Sequence, residues 1–125
     1  MGTIREIVFD CDNAPRLARF WAAVLDGYHV RPYDDAEIAR LAARGLSPET
    51  DPTVLIDGPG PFLCFQEGRK GRAERSTLHL DVAAHDRRAE AARLCALGAS
   101  VDREADGYTV MRDPEGNAFC IVPAR

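Results

Sequence analysis

The chain has 125 residues, 46% of them hydrophobic and 29% charged, with a formal net charge of −4. That length and composition fit one ordinary soluble globular domain with a core of its own, and the acidic balance argues against general nucleic-acid binding, which needs a basic footprint. No apolar run approaches membrane length, and the opening "MGTIREIVFDCDN" is charged within five residues, so the expected setting is the cytoplasm, with no membrane partner. Four cysteines, Cys11, Cys64, Cys95 and Cys120, lack CxxC spacing and read as reduced thiols rather than a disulfide framework.

Taken in order, "IREIVFDC" has the pattern of a strand, closed by "DNAP", where Asp12 or Asn13 can cap a helix and Pro15 suits its first turn. The helix "RLARFWAAVLDG" spaces Leu17, Phe20, Trp21, Val24 and Leu25 at helical intervals and stops at Gly27. After "YHVRP", the stretch "YDDAEIARLAARGLSPETDP" carries a short amphipathic helix with Ile38, Leu41 and Ala42 on one stripe. Two strands follow, "TVLI" and "FLCFQ", joined by the turn-rich "DGPGP". The charged "EGRKGRAERS" has no apolar periodicity and reads as a linker. Beyond it come a strand "TLHLDVAAHD", a helix "RRAEAARLCALG" with Ala91, Leu94, Cys95 and Leu97 inward, a strand "ASVDRE" and a hairpin "YTVMRDPEGNAFCIV".

The order of elements therefore repeats. An offset of 73 residues carries Asn13 to Asp86 and Glu6 to His79, and an offset of 56 carries Cys64 to Cys120. The difference of 17 matches an extra helix and loop in the first copy. The expected organisation is one domain, 1–125, of two βαβββ modules, 4–67 with an insertion at 33–50, and 77–122, joined by a linker at 68–76.

The residues "IVFDCDNAPRLARFW", "LHLDVAAHDRRAEAARLCALGA" and "YTVMRDPEGNAFCIVP" resemble the two halves of a glyoxalase-like domain of the vicinal oxygen chelate superfamily. The resemblance implies an α+β fold in which two βαβββ modules form curved mixed sheets around a cleft, and a homodimer. It implies no single activity, since that superfamily includes isomerases, ring-cleaving dioxygenases, thiol transferases that inactivate fosfomycin and proteins that bind bleomycin without chemistry.

In metal-dependent members, one position on the first strand and one on the last strand of each unit supply the ligands. Carried over, these are Glu6, Cys64, His79 and Cys120. The hairpin positions, usually oxygen or nitrogen donors, are cysteine here. Hard ions want carboxylate and water, whereas two thiolates and an imidazole would suit zinc. With apolar neighbours in "FLCF" and "AFCI", both cysteines are better read as small hydrophobes, so no metal cofactor is expected, and zinc is the ion that set would take.

In "STLHLDV", period two puts His79 and Asp81 on one strand face. They read either as a cleft pair or as hydrogen-bonded wall residues. Glu6 and Asp10 share a face with Val8 and read either as the solvated face of an edge strand or, on a concave sheet, as two acids that favour a cationic or hydroxylated ligand. Tyr108 opens a hairpin strand and reads as ligand contact or cross-strand packing. Trp21 and Phe20 read as core, and His29 and His85 as structural. The insertion at 33–50 reads as a rim lid or as a helix that extends the core. Two functions stay open. In one, the protein binds a small organic ligand, or transforms it without metal, with His79 and Glu6 catalytic and Asp10, Asp81, Cys64, Cys120 and Tyr108 in contact with it. In the other, it is a metal-dependent lyase, isomerase or dioxygenase.

Overall fold

The computed structural model describes residues 4–68 and 80–124. The chain divides into two compact units, Met1–Gly71 and Arg72–Arg125.

In the first unit, β1 (Glu6–Cys11) leads into α1 (Ala14–Val24) through Asn13, whose side chain accepts the Arg16 backbone N–H at 3.1 Å. That bond satisfies one of the donors a helix start leaves open, and proline in the first turn gives up an N–H that would have no partner there. The carboxylate of Glu67, at the end of β4, accepts a second such donor, the N–H of Ala14, at 3.0 Å. It tethers the helix start to the sheet and places a negative charge at the positive end of the helix dipole. Helical spacing collects Leu17, Ala18, Phe20, Trp21 and Val24 into one buried stripe.

The strands β2 (His29–Val30), β3 (Thr53–Asp57) and β4 (Phe62–Glu67) complete a four-stranded sheet in the order β1-β4-β3-β2. β1 runs parallel to β4, and the other pairs are antiparallel. Alternation sends Val54, Ile56, Leu63 and Phe65 to the buried side, where the Phe9 ring meets Trp21 at 5.9 Å and Phe65 at 5.1 Å. The β3–β4 turn is closed by Tyr28, whose hydroxyl donates to the Pro61 carbonyl at 2.9 Å while its ring lies across Gly58. A Cβ at Gly58 would stand 2.5 Å from that ring, so only glycine lets the aromatic side chain seal this turn.

The insertion holds α2 (Asp35–Ala43), capped by Asp34 and anchored by one buried residue, Leu41. Ile38, expected on the same stripe, is 42% exposed. Tyr33 and Asp51 close the base of the insertion with a 2.8 Å hydrogen bond, and burial together with that carboxylate pushes the phenol well above its usual range.

The second unit repeats the plan. β5 (Leu80–Ala84), α3 (Arg87–Ala96), β6 (Ser100–Ala105), β7 (Tyr108–Arg112) and β8 (Ala118–Pro123) form a sheet ordered β5-β8-β7-β6, with β5 parallel to β8. Asp86 caps α3 as Asn13 caps α1, accepting the Ala89 N–H at 3.0 Å. Both units are thus βαβββ, and the architecture is the expected α+β class.

One expected packing detail differs. Of the four apolar residues expected inward on α3, Ala91 and Leu94 are buried, while Cys95 is exposed and Leu97 is 40% exposed. Successive helical residues are rotated by about 100°, so Cys95 turns off the face Leu94 occupies, and Leu97 is already the C-cap. Residues 69–76 of the expected linker and His79 lie outside the described residues, while Glu67, which opens "EGRKGRAERS", is the last residue of β4.

Candidate functional site

In each sheet, one face packs on its helix and the other carries the chemistry-bearing side chains. On the open face of the first sheet stand Glu6, Val8 and Asp10 of β1. Beside them on β4 are Phe62, Cys64 and Gln66, paired in the order Glu6 to Phe62, Val8 to Cys64 and Asp10 to Gln66. β3 adds Leu55 opposite Cys64. The expectation that Glu6 and Asp10 flank Val8 on one face therefore agrees with the register. Val8 is 48% exposed, an apolar residue open between two carboxylates. Cys64 is buried, and its thiol is pushed up first by that burial and second by the Glu6 charge.

On the open face of the second sheet, Asp81 stands directly opposite Cys120, and Val110 flanks Cys120 on its other side. Tyr108 lies one pleat further along β7, on the same face and half-buried. Burial, and then Asp81, raise the Cys120 thiol. Val8 with Cys64, and Asp81 with Cys120, are the same pair under the offsets of 73 and 56, so pairing register and repeat arithmetic coincide. His79, the equivalent of Glu6 under the same offset, lies outside the described residues.

The residue types at these positions do not fit a hard divalent ion. Such ions take oxygen donors, but Cys64 and Cys120 offer sulfur, and both are shifted toward the neutral thiol, which is not a ligand until it loses its proton. Among the described residues, no three His, Cys, Asp or Glu side chains gather into a group that could hold a metal ion.

Three residues the sequence did not single out complete the open face of the first sheet. Arg31, just past β2, reaches Asp57 at the end of β3 with Nη2 to Oδ1 at 2.7 Å and Nε to Oδ2 at 3.1 Å. Its guanidinium also lies 5.0 Å from the centre of the Phe62 ring. Arg31 lies in "YHVRP" and Asp57 opens the turn-rich "DGPGP", where no motif marks either residue. Period two from His29 would have put Arg31 on the face of Asp57. The guanidinium hydrogen bond holds the Asp57 carboxyl below its usual value. Because the folded value is depressed, the pair contributes stability that is full above the unfolded carboxylate range, about 4, and is lost as pH falls through the folded value. The gap in Tm between the native protein and Asp57→Asn should therefore be wide at pH 7 and shrink toward pH 3. A gap independent of pH would remove the ion pair from the stability of this sheet.

The comparisons agree with this architecture. A search of curated proteins gives no match. Among solved structures, the fosfomycin resistance protein FosX from Mesorhizobium loti is similar with a TM-score of 0.68 at 17% identity, over 100% of this chain and 94% of that one. A glyoxalase-related enzyme from Fulvimarina pelagi gives 0.67 at 13% identity, over 99% and 89%. A glyoxalase/bleomycin resistance protein/dioxygenase family enzyme from Burkholderia phytofirmans gives 0.67 at 13% identity, over 99% and 100%. At these identities the likeness is one of fold. The model of the family described as a glyoxalase-like domain matches residues 6–122, so the chain belongs to that family, within the vicinal oxygen chelate superfamily.

Proposed function

We propose that this protein holds a small organic ligand on the open face of its first sheet and needs no hard divalent ion to do so. Val8, Leu55, Cys64 and Phe62 form an apolar floor, and Glu6 and Asp10 take hydroxyl or ammonium groups of the ligand. The observation that carries the reading is Val8, left half exposed in the middle of a strand between two carboxylates. A floor of this kind with a few polar groups around it is the usual composition of a small-molecule site. Family membership supports it, because the superfamily includes small-molecule binders and enzymes. Where the ligand is transformed, Glu6 is the group on this face assigned to proton transfer.

A thermal-shift screen of small organic compounds, repeated on Val8→Lys and Glu6→Gln, tests this reading. Val8 is exposed enough for its replacement to leave folding within about 0.5 kcal/mol, so a loss of binding is not a loss of fold. Compounds that stabilise the native protein should bind at least tenfold more weakly to one or both variants. Equal binding to all three proteins would refute the open-face site. Metal analysis of protein purified without added ions should find less than one equivalent of any divalent metal. Stoichiometric zinc, lost in Cys120→Ser, would instead support the metal-dependent alternative.

A further inference from the structure

The two units carry the same cross-strand ion pair with its polarity reversed. Leu55 and Val110 both stand opposite the strand cysteine, and two residues further along are Asp57 and Arg112. Asp57 takes Arg31 from beyond β2, while Arg112 takes Asp102 of β6 at 3.0 Å. In the second unit, the position equivalent to Phe62 is Ala118, and Arg112 spends another nitrogen on the Gly116 carbonyl at 3.2 Å, within its own hairpin. In the first unit, the arginine instead lies over the Phe62 ring, next to β1, where Phe62 is paired with Glu6. A pair that only staples two strands would not need that ring.

We infer that Arg31 recognises a carboxylate on the ligand, so that the open face selects a small hydroxy- or amino-carboxylic acid; this rests on the open-face reading above. A guanidinium has five N–H donors in a fixed fork. Asp57 occupies the edge formed by Nε and Nη2, and Cζ lies over the Phe62 ring, 5.0 Å from its centre. The outer edge, with Nη1, meets no acceptor among the described residues, and the side chain keeps 42% of its surface exposed. An arginine fixed on one edge and backed by an aromatic ring has already lost most of its rotamer freedom, and its remaining edge matches the two oxygens of a planar carboxylate. Lysine, a point charge on a flexible stem, would not offer that fork. Asp57 balances the charge of Arg31, and Glu37 of α2 and then Glu6 also act on it electrostatically, so a plain anion gains little here. A ligand that also brings a hydroxyl or ammonium toward Glu6 satisfies both groups, which is why the class is narrowed to hydroxy and amino acids.

The test uses matched probes: mandelate with methyl mandelate, and phenylalanine with its methyl ester. Each is titrated calorimetrically into the native protein and into Arg31→Gln, Arg31→Lys and Arg112→Gln, with circular dichroism confirming each fold. The native protein should bind each acid at least tenfold more tightly than its ester. Arg31→Gln should abolish that preference while keeping ester binding, Arg31→Lys should restore only part of it, and Arg112→Gln should leave it intact. A preference for acid that survives in Arg31→Gln overturns the assignment. Should Arg31→Gln not fold, full retention of the preference in Arg31→Lys overturns it equally. Acid and ester bound alike by the native protein, with both weakened by Val8→Lys, would leave the open-face site standing and refute the carboxylate inference alone. Failure of every probe to bind the native protein would count against the open-face site, and the inference would fall with it.

Discussion

Replacing Trp21 with alanine is expected to cost about 3–5 kcal/mol of folding stability, the range for deleting a large buried aromatic. Trp21 is 1% exposed, with its ring 5.5 Å from Phe20 in an edge-on arrangement and 5.9 Å from Phe9 of β1. Aromatic pairs of this kind add about 0.5–1.5 kcal/mol beyond the area they bury. The side chain joins α1 to the sheet that carries Glu6, Val8 and Asp10, so the cavity left by alanine would loosen the support of the candidate site as well as the core. Against a total stability of about 5–15 kcal/mol, that loss is a third or more in most of the range. Urea unfolding followed by circular dichroism measures it, since the chain has one tryptophan and the variant loses its fluorescence signal. Trp21→Phe should retain most of the stability. A cost under about 1 kcal/mol for Trp21→Ala would contradict the packing described.

The second large effect is expected at Asp113. This aspartate is 3% exposed at the β7–β8 turn, and its carboxylate accepts the backbone N–H of Glu115 and of Asn117, each at 2.9 Å, and the Asn117 side-chain amide at 2.8 Å. Alanine would leave three donors without this acceptor inside a half-buried turn. The expected cost is about 2–3 kcal/mol, because an unsatisfied donor forfeits its desolvation and bonds to an ionised acceptor are the stronger kind. Asp113→Asn keeps one oxygen acceptor for the two backbone donors but turns an NH2 toward the Asn117 amide, so it should cost less than alanine. Hydrogen exchange locates the effect, since the amides of Glu115 and Asn117 should lose protection in Asp113→Ala while those of β3 and β4 keep theirs. Unchanged protection at both amides would refute the role given to this carboxylate.

The fold was legible because local chemistry and pattern agree twice over. "DNAP" and "AHD" each announce a capped helix after a strand, and Asn13 and Asp86 take those positions. The alternation in "EIVFDC" places Glu6, Val8 and Asp10 together, and the register with β4 shows them on the open face. Apolar periodicity misled where a helix is short and packed on one side only. α2 buries Leu41 but not Ile38, and α3 turns Cys95 outward, because apolar spacing reports which residues could be covered and not whether a neighbour is there to cover them. The Arg31, Asp57 and Phe62 group was hidden for a different reason. Its members come from the ends of three strands, and aligning "DGPGP" with "DPEGN" matches Asp57 to Asp113, whereas the pairing to the strand cysteines matches it to Arg112. A shift of one residue flips a strand position to the opposite face, so sequence alignment alone could not show that the two sheets share an inverted ion pair.

The central claim, a small-molecule site on the open face of the first sheet, is tested most directly by soaking crystals of the protein with a library of small organic fragments and mapping where they bind. The account predicts fragments resting on Val8, Leu55, Cys64 and Phe62, with polar atoms toward Glu6, Asp10 or Arg31. Fragments that leave this face empty and gather elsewhere on the molecule would contradict it.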